Sequence, residues 1–198
     1  GWTKINTRER PYTGLNFSRY FFSPARDYLN FSIGAGGYWY QKKFEDIDVL
    51  AKVDFFTRIH YWKRKWRQRY FLSSSVARQF RNLLSEPLRL ESDYGLREIR
   101  NNWQPGNFRL AVKGESVFFS PWSVLLFRFA PFVFVNSALF REKKDSANNY
   151  DSKIYSSIGG GVRIRNESLI FGTIEFRGMY FPRKNFFNDN WRFEARTN

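Results

Sequence analysis

The chain reads as an all-β protein, a transmembrane antiparallel β-barrel, on three observations. Apolar and polar residues alternate with period two along most of its length. Phe, Tyr and Trp make up 21% of the 198 residues, yet mean hydropathy is −0.56, because the rings are interleaved with Arg, Lys, Ser and Asn. Several alternating runs exceed the five or six residues usual in soluble sheets and reach the length of a strand that crosses a bilayer and continues above it. No apolar run is long enough for a membrane-spanning helix.

About ten strands are expected from the alternation. The first covers Gly14–Ser23, with Leu15 and Phe17 against Asn16 and Ser18. The second, Tyr28–Tyr40, sets Leu29, Phe31, Ile33, Ala35, Gly37 and Trp39 on one face. The third, Asp46–Trp62, alternates most cleanly: Ile47, Val49, Ala51, Val53 and Phe55 oppose Asp46, Asp48, Lys52, Asp54, Arg58 and His60. Arg67–Phe80 forms the fourth and Pro87–Asp93 the fifth. The sixth, Asn107–Phe119, sets Phe108, Leu110, Val112 and Phe118 opposite Arg109, Lys113 and Glu115. The seventh spans Ser123–Phe140, and Pro131 within it is expected to mark a bulge, since proline cannot donate to a ladder. Ile154–Arg165, Leu169–Phe181 and a strand starting at Trp191 complete the set. Tight connections at Ser120–Trp122 and Asn166–Ser168 alternate with longer ones at Arg141–Lys153 and Pro182–Asn190, as barrels with short turns on one rim require. Trp39, Trp62, Trp66, Trp122 and Trp191 fall at strand ends, where an interfacial girdle belongs.

Composition narrows the function classes. A net charge of +15 and a pI near 10.2 permit nucleic-acid binding. The basic residues, however, recur inside alternating strands rather than clustering on one surface, so a pore wall and lipid-facing loops explain them better, and no nucleic acid is expected. The chain has no cysteine and a single histidine, which leaves no metal-ligand set and no expected cofactor. His60 is the one residue on which a hydrolytic triad could be built, with Asp54 and Arg58 on its face; a lone histidine on a polar wall is more often a wall residue. Gly159-Gly160-Gly161 lies inside a strand and precedes no helix, so close packing or a kink explains it better than phosphate binding.

Between the fifth and sixth strands lies Tyr94-Gly95-Leu96-Arg97-Glu98-Ile99, then a polar run, then Gly106-Asn107 opening a strand that carries Glu115. The following strand carries Phe134-Val135-Asn136-Ser137-Ala138. This arrangement resembles the BamA/TamA/two-partner-secretion superfamily, the bacterial surface-antigen family. That family carries a V-R-G-F signature in a long extracellular loop, then a Gly-Asn strand with a Glu, then an aromatic-x-Asp-x-Gly pattern. Leu96, Arg97, Glu98 and Ile99 stand at the signature, with Glu98 in place of its glycine; Asn136 and Ala138 replace the Asp and Gly. The resemblance covers roughly Pro87 to Asn198.

The resemblance implies a barrel of about sixteen strands with its loop folded into the lumen. Residues 1–198 would be one outer-membrane barrel domain, incomplete at both ends. Arg97 would contact Glu115 and Asn136 on the inner wall, and Glu98 would pair with Arg109 or Arg128. The implied function is insertion or translocation of proteins at the bacterial outer membrane, without enzymatic chemistry. The partners implied are membrane lipid and lipopolysaccharide, client proteins, and other outer-membrane or periplasmic subunits. Two alternatives stay open: a passive barrel whose basic wall (Arg109, Lys113, Arg128, Arg163, Arg165, Arg177) prefers anions, and a lipid-acting barrel enzyme built on His60.

Overall fold

A computed structural model describes residues 2–5, 8–62, 65–81, 86–99, 105–144, 149–166, 172–183 and 190–197. Among them the secondary structure is β throughout, in twelve strand segments: β1 (Trp2–Ile5), β2 (Arg8–Phe22), β3 (Tyr28–Tyr40), β4 (Lys43–Phe56), β5 (His60–Tyr61), β6 (Arg67–Phe80), β7 (Gly106–Phe119), β8 (Ser123–Val124), β9 (Phe127–Lys143), β10 (Tyr150–Asn166), β11 (Ile174–Tyr180) and β12 (Trp191–Thr197). All pairings are antiparallel. The strands follow one another across the sheet in chain order, with β5 and β8 as side pieces on β6 and β9. The path ends at β1 and β12, and the described strands do not close on themselves.

The register turns the period-two pattern into two opposed faces. One row runs Phe17, Ile33, Ala51, Val76, Leu110, Leu139, Ile154 across seven strands, apolar at each step. Another row on the same face runs Phe21, Leu29, Phe55, Leu72, Gly114, Val135, Ile158, Tyr180, Trp191. On the opposite face a row runs Tyr20, Asn30, Asp54, Ser73, Lys113, Asn136, Ser157. The apolar face is bare: Leu15 is 84% exposed, Ile154 58% and Phe193 80%. The buried residues cluster over the polar face instead, around Leu90, Leu96, Ile99, Phe134, Phe140, Tyr155 and Met179.

The polar face is concave. Asp54 on β4 and Arg196 on β12 line one cavity of about 430 Å³. They are six inter-strand steps apart, and in a flat sheet steps of about 4.8 Å would separate them by roughly 29 Å.

Local features bend and end the strands. Between β3 and β4 the register slips by one residue after Gly36. Asp46 takes the left-handed conformation there, with φ 49°. Aspartate tolerates this conformation better than most residues. The bulge turns the Asp46 carboxylate onto Arg10 of β2, in an ion pair buried from solvent. Arg10 also lies over the Tyr38 ring, 4.5 Å from its centre. Two-residue turns with positive φ at both positions close β3–β4 at Gln41-Lys42 and β8–β9 at Leu125-Leu126, the twist that matches paired strands.

Several sequence expectations change here. The second and fourth strands keep the bounds read for them, the sixth, eighth and tenth hold within a few residues at their ends, and the first begins well before Gly14, at Arg8. The third ends earlier, at Phe56, with His60 in a separate short strand. The fifth is not a strand: Leu88 alone makes a bridge, to Gly106, and the rest of the segment turns over the concave face. The seventh is broken at Leu125-Leu126 into β8 and β9. Pro131 makes no bulge. It pairs in register with Val162, one residue past the end of the β7 ladder at Phe132, so its missing amide donor costs no bond to β7. The alternation of short and long connections is read on the C-terminal side, where much of those connections lies outside the described residues; on the N-terminal side the rim carrying the segment 81–105 also carries the two-residue Gln41-Lys42 turn. The expected start of the ninth strand at Leu169 and the Glu167-Ser168 turn lie outside the described residues; β11 is described from Ile174.

Replacing Asp46 by Asn keeps the backbone tolerance and the shape but leaves the Arg10 charge buried, with Glu45 at 3.9 Å as its acidic neighbour among the described residues. The expected loss is about 3–5 kcal/mol in chemical unfolding of the purified protein. The double variant Arg10→Met, Asp46→Asn should recover most of it.

Candidate functional site: a loop docked on the concave face

Leu88–Ile99 is read in sequence as half strand and half loop because Leu88 and Leu90 alternate with Arg89 and Glu91. In the structure these apolar side chains have another use. Leu90, Leu96 and Ile99 are buried against Ala111, Phe134, Ala138, Phe140 and Met179 on the concave wall. Each such side chain removed from water contributes roughly 1.5–3 kcal/mol. The entry is clamped by Gln79 of β6, whose amide donates to the Glu86 carbonyl at 3.1 Å and accepts from the Leu88 amide at 2.7 Å. Two turns then fold the segment on itself: the Gly95 amide donates to the Ser92 carbonyl at 3.0 Å, and the Leu96 amide to the Leu90 carbonyl at 3.0 Å. A β-carbon at Gly95 would overlap the Leu90 carbonyl, so this crossing requires glycine.

Wall side chains satisfy the loop's carbonyls. Ser75 on β6 donates to the Tyr94 carbonyl, Lys113 on β7 to that of Asp93 at 3.0 Å, and Arg109 on β7 to that of Arg89. The Lys52 ammonium of β4 lies 5.7 Å from the centre of the Tyr94 ring. A buried backbone carbonyl without a donor is costly, so these contacts fix where the loop rests.

Glu98 is the deepest polar anchor, with only 3% of its surface exposed. Its Oε1 accepts from Asn136 Nδ2 at 2.7 Å and from the Ser157 hydroxyl. Its backbone carbonyl accepts from Arg192 Nη1 of β12 at 3.2 Å. One loop residue is thereby tied to β9, β10 and the terminal strand.

Arg97 does not reach Glu115 or Asn136. It is 58% exposed and pairs with Asp93 at 2.8 Å within its own turn. Glu115 is held instead by Arg163 of β10, through two hydrogen bonds of 2.6 and 2.8 Å. Arg163 crosses over β9 to do so, its guanidinium 4.3 Å from the centre of the Phe132 ring, and its Nε donates to Glu175 at 2.8 Å. Farther along, Arg177 donates to Glu194 at 2.9 Å, and Arg192 and Arg196 close on the same carboxylate at 3.0 and 2.6 Å. The expected pairing of Glu98 with Arg109 or Arg128 is also replaced. Arg109 serves the Arg89 carbonyl, and Arg128 sits on the opposite rim, paired in register with Arg165. The reason is one of direction: adjacent residues in a tight turn point opposite ways, so the turn at Leu96–Ile99 sends Glu98 inward and Arg97 outward. No sequence pattern singles out Ser157, Arg163 and Arg192 as partners; the register places them opposite the loop and Glu115.

His60 packs edge-on to Tyr70, with ring centres 6.0 Å apart. Among the described residues no group of three or more His, Cys, Asp or Glu could hold a metal ion. Gly159 of the glycine triplet backs onto the Phe134 ring and the Gly178 carbonyl, where any β-carbon would collide, which accounts for it by close strand packing. No family model matches the chain, and neither does any curated protein or solved structure with which it was compared.

Glu98→Ala removes the carboxylate but leaves Asn136 and Ser157 facing a buried gap. It should cost about 1–3 kcal/mol of unfolding free energy and open the Leu88–Ile99 loop to limited proteolysis. Arg97→Ala loses one exposed ion pair and should cost roughly 0–1 kcal/mol with no change in cleavage.

Proposed function

We propose that this chain is the strand-rich part of an outer-membrane β-barrel that acts in insertion or translocation of proteins, with the Leu88–Ile99 loop held inside the lumen. The observation that carries the membrane reading is the inversion of its faces. A soluble sheet buries its apolar face. This one leaves apolar rows bare across seven strands and more, and places its charges and its buried loop on the concave side. Contiguous bare apolar surface on this scale marks contact with lipid or protein. The bare face of β10 is apolar or small from Ile154 to Ile164, about 33 Å along a strand. With a strand tilt of 35–45° this spans roughly the 25 Å of a lipid-facing band. Tryptophans flank it on both rims. Trp62, Trp66 and Trp122 gather on one, where Trp66 meets Trp122 at 6.0 Å; Trp39 and Trp191 stand on the other, beside Phe44 at 4.9 Å and Tyr180 at 5.1 Å.

The insertion reading rests on the loop. It is bound along the inner wall, and its Glu98 connects to β12, the strand at one end of the described sheet. A strand whose free edge can accept a client strand is the chemistry such a function needs. The passive anion channel draws less support. Of the six basic wall residues, Arg163 and Arg177 are matched by Glu115, Glu175 and Glu194, while Arg109 and Lys113 hold loop carbonyls.

Two measurements test this. Ile158→Arg on the bare face should destabilise the protein in lipid vesicles by about 2–4 kcal/mol if that face meets hydrocarbon; an unchanged unfolding curve would refute the lipid contact. In cells, depletion of the protein should lower the assembled amounts of other outer-membrane proteins, and Glu98→Ala should reproduce part of that loss. If depletion leaves them unchanged and the purified protein gives anion-selective conductance in bilayers, the channel reading replaces this one.

A further inference from the structure

We propose a second site, on the concave wall of β2, β3 and β4: a bay that binds a neutral saccharide. A cavity of about 560 Å³ opens there, within the range of roughly 300–1,000 Å³ usual for small-molecule sites. Inward residues of the three strands make its wall, and Tyr94 bounds it on the loop side. The register explains its shape. Gly14 and Gly36 are partners across β2–β3, and Gly34 is the partner of Asn16. With no side chains at these three places, the wall recedes. The Tyr12 ring runs along the sheet over the first two; a β-carbon at Gly36 would overlap its hydroxyl. A β-carbon at Gly34 would meet nothing nearer than Asn16 Oδ1, at 3.4 Å, so the recess beside it is open.

The lining differs in kind from the rest of the concave face. The cavity under the loop is walled by charges, among them Lys113, Glu115, Arg163, Glu175 and Arg177. In the bay, Asp48 and Lys52 are the charged residues among the described lining, and Lys52 is paired with Asp54 at 2.6 Å. Asp48 is hydrogen-bonded to Gln79 of β6 and keeps Oδ1 without a partner among the described residues. The other polar groups are amides and hydroxyls, on Asn16, Ser18, Asn30 and Ser32. Each of these can donate and accept at once. Three exposed tyrosine rings frame them: Tyr12, Tyr20 and Tyr94. Tyr94 is fixed from behind, its carbonyl accepting from Ser75 and its ring beside the Lys52 ammonium. A sugar ring answers both halves of this surface. Its hydroxyls donate and accept as the Asn and Ser groups do, and its C–H face suits an aromatic ring. It is uncharged, which matches a wall with one cation and one anion. The bay lies on the concave side, away from the bare apolar rows, so the saccharide arrives through water and not as a lipid headgroup.

The full chain is titrated calorimetrically in a polyoxyethylene detergent, which carries no sugar of its own. The probes are maltotriose, triacetylchitotriose and acetyl-triglycine amide, a neutral hydrogen-bonding control without a sugar ring. Saturable binding of at least one of the two sugars is expected, and none of the peptide. Asn16→Ala and Tyr94→Ala should each weaken it about tenfold, through a lost hydrogen bond and a lost ring contact. Gly34→Val puts a side chain that suits a strand into the recess and should abolish it. In the wild-type protein, magnetisation saturated on the aromatic protons should pass to the ring C–H protons of the bound sugar, a readout that stands even where a variant fails to fold. Failure of both sugars to bind, absence of that transfer, equal binding of the peptide, or unchanged affinity in folded Gly34→Val would overturn the proposal. None of these outcomes depends on whether Glu98 supports protein insertion, since neither Glu98 nor its partners Asn136 and Ser157 line the bay.

Discussion

A carboxylate cannot be placed under an apolar loop without donors to meet it, and Glu98 meets its donors at one place on this sheet. Asn136 and Ser157 are register partners on β9 and β10 and belong to a polar row that crosses seven strands. Shift either strand by one residue and the pair turns to the other face. The register that builds the bare apolar rows is therefore the same one that creates a seat for Glu98. Loop and sheet specify each other: Leu90, Leu96 and Ile99 give the concave wall its apolar core, and the wall's Ser75, Arg109 and Lys113 satisfy the loop's carbonyls.

The second organising feature is a run of ion pairs from Glu115 on β7 to Arg196 on β12. Surface ion pairs on separate flexible side chains contribute little. Here the partners are half-buried, several share a carboxylate, and Arg163 is held between two glutamates above an aromatic ring. The arrangement joins strands that do not touch through the backbone, since β9 separates β7 from β10. It braces the curvature of the sheet across the region the loop covers, and it hands β12 both a link to the loop and a link to β11.

Much of the fold is legible in the sequence because a half-buried strand writes its faces directly into alternate residues. Tyr28–Tyr40 and Arg67–Phe80 fall where the alternation places them, between turn residues that cannot extend a ladder. The misreadings share a cause. Pro87–Asp93 alternates as a strand does, but its apolar residues dock on a sheet rather than join one, and the pattern cannot separate these uses. Leu125-Leu126 lacks the glycine or asparagine that marks a tight hairpin, so the break between β8 and β9 is invisible until the backbone shows both residues at positive φ. The site was legible as a location and as residue types. Which of Arg97 and Glu98 faces the wall was not, because that depends on a turn closed by Gly95 and Leu96 through bonds to Ser92 and Leu90.

By itself the sequence determined the class of structure, the positions of most strands and the separation of an apolar from a polar face, since these follow from local alternation and from side-chain size at each residue. It also marked 94–105 as the place where the regular pattern gives way to something with a different task. Tertiary structure alone decided what that task uses. Glu98 finds Asn136, Ser157 and Arg192, residues 38, 59 and 94 positions away in the chain. Glu115 finds Arg163 across an intervening strand. Contacts over such separations are set by register and curvature, which belong to the whole sheet and to no single stretch of it.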